Sequence, residues 1–196
     1  MSRPHAPLPA KLVCSVLTPA PNFAGPLWPE ILAGLEACFG PAEIAYPAMA
    51  FDRTAYYNDE LGTPLARRLV AFARLASQEA LGPAKRRTNA LEDRLARPDG
   101  RRRVNLDPGL LTQERFVLAT GKNYTHRIYL GDGIFGDLTL VFQAGSWQTL
   151  PWTFPDYAAP GMTAFLTDIR RRYRRDLRET ASPHTPTHEE PPCPKA

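Results

Sequence analysis

A chain of 196 residues with 43% hydrophobic and 10% aromatic residues supports one globular domain with a sizeable core, which excludes a disordered chain. It contains no apolar run near the roughly 18 to 20 residues a membrane span requires, and Cys14, Cys38 and Cys193 have neither paired nor metal-ligand spacing. The formal charge of +4 admits acidic ligands or nucleic acid as partners.

Residues 1–10 read as a Pro-rich, flexible arm. The apolar run that follows, LVCSVL, is short for a signal-peptide core, and its alternation suits a strand. A cytoplasmic protein with reduced thiols is therefore expected. Lys11 to Thr18 is the first predicted strand. Trp28, Ile31, Leu32, Leu35 and Phe39 then recur at helical spacing behind Pro29, and Gly40-Pro41 ends that helix. Glu43 to Asp52 alternates as a second strand, giving a strand-helix-strand start with at least one parallel pairing if both strands join one sheet. The segment FDRTAYYNDELG follows, with Tyr56 and Tyr57 placed either to stack on a ligand or to cover an edge of the core.

Thr63-Pro64 opens a predicted helix with the stripe Leu65, Leu69, Phe72 and Ala76. Past Gly82-Pro83 a further helix has the buried stripe Ala84, Thr88, Leu91 and Leu95. Lys85, Asn89 and Glu92 lie about 100° around from that stripe, at the border of core and solvent. They could line a pocket or simply be polar surface neighbours.

From Arg101 to Phe142 the chain reads as successive short strands joined by turns rich in polar groups. Val104 and Leu106 alternate with Asn105 and Asp107, so the two polar residues share one face. Asp107-Pro108-Gly109 is expected to end that strand in a turn. Phe116 to Thr120, His126 to Leu130 and Asp137 to Gln143 are the next strands, and Arg127 and Tyr129 share a face. WQTLPWTFPDYAAP looks too irregular for a sheet. A final helix from Met162 to about Leu177 has apolar positions Met162, Phe165, Leu166, Ile169 and Tyr173, which make the RRRYRR run its solvated face. Residues 179–196 are Pro-rich and polar, and disorder is expected there. The fold expected is α/β or α+β: one domain over residues 11–178, with a mixed, largely antiparallel sheet and helices packed on it.

Five segments carry a resemblance beyond these patterns: FDRTAYYNDELG, KRRTNALE, RRRVNLDPG, FVLATGKNYTHRIYLGDGIFGDLTL and PWTFPDY. Through them the chain resembles an uncharacterised bacterial family, domain of unknown function 4416, from Lys11 to about Tyr173. The resemblance supplies no activity, but it implies that these polar segments build one shared site. The family usually carries Glu where this chain has Asp137.

His126 is the one histidine outside the arm and tail, and an imidazole beside Arg127 could serve as acid, base or phosphate donor; a structural histidine is the plainer alternative. Lysine is rare here, yet Lys85 and Lys122 both fall in the polar segments, where an ammonium suits a phosphate. Glu92, Asp107 and Asp156 could hold magnesium, although their spacing does not demand it. Gly131 to Gly136 matches G-x-G-x-x-G, but a strand rather than a helix follows, so a dinucleotide fingerprint is rejected.

These residues suggest an enzyme or binder for a small anionic ligand, phosphorylated or nucleotide-like. His126 is the expected acid or base, with Glu92 and Asp107 orienting groups. Lys85, Lys122 and Arg127 are the anion contacts, Asn89 and Asn105 the hydrogen-bond partners. Tyr129, Trp152, Asp156 and Tyr157 complete the expected site, with Trp152 and Tyr157 as a platform or lid. The alternatives are an RNA-binding module using Arg170 to Arg175, or an interaction scaffold whose Pro-rich tail docks a partner.

Overall fold

The computed structural model describes residues 3–181. Its centre is β1 (Ala10–Pro19), almost wholly buried because its apolar residues face a core on each side of the sheet. It pairs antiparallel with β4 (Leu65–Ala76) on one edge and β5 (Asn105–Leu111) on the other. Beyond β4 lie the short strands β2 (Ala42–Ala45) and β3 (Met49–Ala50). Beyond β5 come β6 (Arg115–Thr120), β8 (Ile134–Gln143) and β7 (Arg127–Gly131), with β9 (Ser146–Thr149) also paired to β8. The result is a nine-stranded sheet in the order β2-β4-β1-β5-β6-β8-β7, every pairing antiparallel.

Helices α1 (Leu27–Phe39) and α3 (Leu81–Arg94) cover one face, burying Leu27, Ile31, Leu35, Ala84 and Leu91 against Leu12, Cys14, Val16, Val70 and Leu106. Helix α4 (Pro160–Ala181) covers part of the other face, where Met162, Phe165, Leu166, Ile169 and Tyr173 meet Val13, Leu69, Phe116 and Leu140. This is the stripe expected from sequence. The helix runs on through residues 179–181 of the stretch read as a tail; the rest of that tail lies outside the described residues.

Four expectations are corrected. Residues 65–76 form β4 and not a helix: burial on both faces removes the alternation that would mark a strand, and leaves apolar spacings that mimic helical ones. The strand-helix-strand start makes no parallel pair, because β4 inserts between β1 and β2. The irregular stretch at Trp147 contributes β9. Finally, Asp107-Pro108-Gly109 continues β5. Leu106 turns its N–H and C=O away from β1, and Pro108, two residues on, turns the same way, so its missing donor takes no bond from β1. At Gly109 a Cβ would stand 2.9 Å from the Val117 carbonyl oxygen, so only glycine lets β6 close in.

Lys11 is fully buried in β1 and joins the sheet to α4. Its Nζ donates to Asp176 Oδ2 at 2.5 Å, to Glu43 Oε2 at 2.9 Å and to the Ala73 carbonyl at 3.2 Å. Lys11→Ala is expected to cost about 3–5 kcal/mol in chemical denaturation, the usual penalty for breaking a buried pair. Lys11→Met should cost less, since it keeps the stem volume and leaves Glu43 with Arg172 and Arg175.

Candidate functional site

Helix α4 leaves one end of its sheet face bare. There β5 meets β6 only from Gly109 onward, so its first half, Asn105 to Asp107, has no strand beside it on that edge. The orphaned backbone of Leu106 is taken by α3. Its N–H donates to Glu92 Oε1 at 2.6 Å, and its carbonyl accepts from Lys85 Nζ at 2.7 Å. Lys85 and Glu92 stand seven residues apart, two helical turns on one face, and so imitate the missing strand. The gap they prop open is the floor of a cleft of about 530 Å³.

The alternation of β5 aims Asn105 and Asp107 into this cleft, as expected. Across the sheet, Leu17 stands between Asn105 and Arg67 in register, which puts Arg67 on the same face. The segment between β3 and α2 (Asn58–Leu61) supplies Phe51, Thr54, Tyr56 and Tyr57 as one wall. The end of β6 with its following loop supplies Thr120, Gly121 and Lys122, and β7 and β8 supply Arg127 and Asp137. Phe154 and Tyr157, from the loop before α4, complete the rim and floor.

Five cations line the cleft, and four are engaged by carboxylates. Lys85 lies 2.9 Å from Asp107 Oδ1 and 3.7 Å from Glu92. Arg102 grips Glu60 with two bonds of 2.6 Å and reaches Glu92 and Asn105 Oδ1. Arg127 Nε donates to Asp137 at 2.9 Å. Arg67, buried between the rings of Phe51 and Tyr157, lies 2.5 Å from Asp156 and donates through Nη1 to Ser15 and Tyr157. Nε of Arg67 and Oδ2 of Asp156 are not aligned as a hydrogen bond, so charge and proximity hold that pair.

Lys122 differs. Its Nζ sits 3.9 Å from the centre of the exposed Tyr56 ring and 5.5 Å from that of Tyr57. No carboxylate of a described residue lies within ion-pair distance of it. The hydrogen bond and charge of Lys122 hold the Tyr56 phenol below its ordinary pKa.

Burial strongly disfavours the charged form of Asp107, but the charge and hydrogen bond of Lys85 prevail and hold its carboxyl below the usual value. For Glu92 burial wins over Lys85 and the Leu106 N–H, and its pKa is raised. Glu60 is lowered, chiefly by its hydrogen bonds from Arg102. A carboxyl lowered in the fold contributes stability above its ordinary pKa and loses it as pH falls through the folded value. Glu92, raised, has the opposite sign, its contribution being lost as pH rises through its folded value. Stability should therefore fall below about pH 4, and thermal melts of Asp107→Asn should show a shallower fall on that acid side.

The structure gathers Lys85, Asn89, Asn105, Asp107, Lys122, Arg127 and Tyr157 around one cleft. Glu92 and Asp156 stand behind it, buried against Lys85 and Arg67. His126 does not line the cleft either. Its ring stacks on Trp152 at 4.8 Å and 8°, and its Nε2 lies 3.2 Å from Asp137 Oδ2. The Trp152 indole N–H donates to the Leu138 carbonyl, so Trp152 clamps His126 rather than a ligand. Tyr129 is 60% exposed at the outer edge, over Phe135. Glu92 and Asp107 share Lys85, Glu92 also binds Arg102, and Asp156 turns to Arg67; among the described residues no group of three His, Cys, Asp or Glu is arranged to hold a metal.

Sequence reasoning missed Arg67 and Arg102 as cleft residues. Arg67 falls in residues 65–76, expected to be a helix; in the strand its same-face neighbours two residues away, Leu65 and Leu69, are buried and carry its guanidinium inward. Arg102 lies in RRRVNLDPG, a segment expected to belong to the site, but only its Asn105 and Asp107 were singled out.

The family described as Domain of unknown function (DUF4416) matches residues 8–173, which include every strand, every cleft residue and α4 as far as Tyr173. The chain belongs to the DUF4416 family. No curated protein and no solved structure matches it. The DUF4416 match covers the segments around Tyr56, Lys85, Asn105, Lys122, Arg127 and Asp156 that the fold brings together, as the resemblance implied. No helix among the described residues is long and apolar enough to cross a membrane.

Proposed function

We propose that the cleft binds a small phosphorylated ligand, with Lys122 as the anion anchor. The observation that carries this reading is the Lys122 ammonium at the rim, unmatched by a carboxylate in a cleft whose other cations are all engaged. A phosphate offers the opposite charge and several acceptors to such a group. A cleft of about 530 Å³ with an aromatic wall is in the size range, roughly 300–1,000 Å³, of small-molecule sites.

If the ligand is turned over, a proton-transfer group within reach is the Asp137 carboxylate, which lines the cleft beside Arg127 and has His126 behind it. His126 then acts as a positioning residue, holding the Asp137 carboxylate from outside. His126→Gln is expected to leave ligand affinity within about threefold while lowering the rate of any turnover. Lys122→Ala should do the reverse.

A nucleic-acid surface along Arg170 to Arg175 is less well supported. Arg170 donates to the Gln113 carbonyl and lies 3.6 Å over Phe142, Arg171 and Arg172 pair with Asp168, and Arg175 pairs with Asp176 and Glu43. The run is thus largely spent on its own helix and on the sheet.

The test is a thermal-shift screen of the full chain against phosphorylated metabolites and nucleotides, each with and without magnesium. A ligand that binds the native state raises the midpoint. The proposal expects a saturable rise that Lys122→Ala abolishes. Rises that persist in Lys122→Ala but vanish on neutralising Arg171 and Arg174 would refute it in favour of the helix surface.

A further inference from the structure

The cleft has two ends of different chemistry. At the rim are Lys122, Gly121 and Phe154, all exposed. Around and behind the floor four carboxylates, Asp107, Glu92, Asp156 and Glu60, pair with three cations, Arg67, Lys85 and Arg102. That balance repels a second phosphate from the floor and directs the anion to the rim.

The floor nevertheless keeps unspent hydrogen-bonding capacity. Each Asp107 oxygen carries one donor, Lys85 on Oδ1 and Asn105 on Oδ2, which leaves acceptor sites open on a carboxylate that faces the cleft. Arg67 is 7% exposed and fixed between two rings, yet no hydrogen bond from its Nη2 to another described residue occupies that edge. A ligand part that fits this floor is planar, offers N–H donors to Asp107 and an acceptor to Arg67, and stacks on the aromatic wall. A sugar ring offers hydroxyls but neither ring N–H donors nor a π face.

We infer that the ligand is a nucleotide, with its phosphate at Lys122 and its base on the floor between Asp107 and Arg67. This rests on the phosphate reading above and adds the base to it. Base recognition of this kind combines stacking with paired hydrogen bonds to the base edge.

The experiment is calorimetric titration of the full chain with four nucleoside 5′-monophosphates, ribose 5-phosphate and inorganic phosphate. At least one nucleotide should bind about tenfold or more tightly than ribose 5-phosphate. That preference should shrink about tenfold in Asp107→Asn. Because Asp107 also supports Lys85, Tyr57→Leu serves as the second variant. It removes a ring from the aromatic wall while keeping an apolar side chain beside Phe51, so the fold should survive, and nucleotide affinity should fall about fivefold or more with ribose 5-phosphate affected far less. Ribose 5-phosphate binding as well as every nucleotide would overturn the base inference and leave the phosphate reading standing. If neither ribose 5-phosphate nor any nucleotide binds, both fall.

Discussion

Glu92→Ala should destabilise the protein by about 3–5 kcal/mol, the range for breaking a buried ion pair. Glu92 is 4% exposed and does three things at once: it accepts the Leu106 N–H, faces Lys85 and binds Arg102. Alanine leaves a buried backbone donor unpaired, which alone costs about 1–3 kcal/mol. It also deprives two cations of a shared counter-charge. A loss of that size is a large part of an ordinary folding free energy of roughly 5–15 kcal/mol. Glu92→Gln keeps an oxygen for Leu106 and should recover a sizeable share. Denaturant titration separates the two variants. An alanine variant within about 1 kcal/mol of the parent would contradict the role given to α3 as substitute strand.

The second large effect belongs to Lys122. Its removal should lower affinity for a phosphorylated ligand about 10- to 100-fold, the scale of a charge-assisted hydrogen bond of roughly 1.5–3 kcal/mol. Stability should hardly change, because Lys122 is exposed and its contacts are the Tyr56 and Tyr57 rings. Lys122→Arg should restore part of the affinity, since the charge is kept while the compact ammonium is not. Equal affinities for the parent chain and Lys122→Ala would remove the anchor from the account.

The pair makes a useful contrast. Both residues lie in polar segments that sequence reading assigned to the site, yet one supports the cleft from behind and the other lines its rim. Sequence spacing grouped Glu92 with Lys85 and Asn89 on one side of the helix, although Lys85 and Glu92 are buried rather than at the border, and spacing cannot say that β6 fails to reach Leu106. That gap depends on where Pro108 and Gly109 fall along a strand, and both were read as a turn. Asn105 and Asp107 were legible because β5 alternates cleanly there. Arg67 was not, because a strand buried on both faces loses its period of two. The pairing of His126 with Trp152 was hidden for a different reason: the two residues are 26 positions apart, in the turn before β7 and in an irregular loop, and nothing local ties them.

The helix α4, by contrast, followed its stripe closely, since one face meets the sheet and the other meets water. The arginines on that outer face show how far composition misleads. The formal charge of +4 suggests a basic surface, but much of the RRRYRR run is neutralised by Asp168, Glu43 and Asp176. The one cleft cation without a carboxylate partner among the described residues is Lys122, in the loop after β6.

The most direct measurement is a two-dimensional amide NMR titration of the full chain with ribose 5-phosphate, following Gly121 and Lys122 against Arg170 to Arg175. Saturable shifts centred on Thr120, Gly121, Lys122 and Tyr56, and absent in Lys122→Ala, are the result this account predicts. Shifts confined to the α4 arginines, or shifts at the cleft that survive Lys122→Ala, would contradict it.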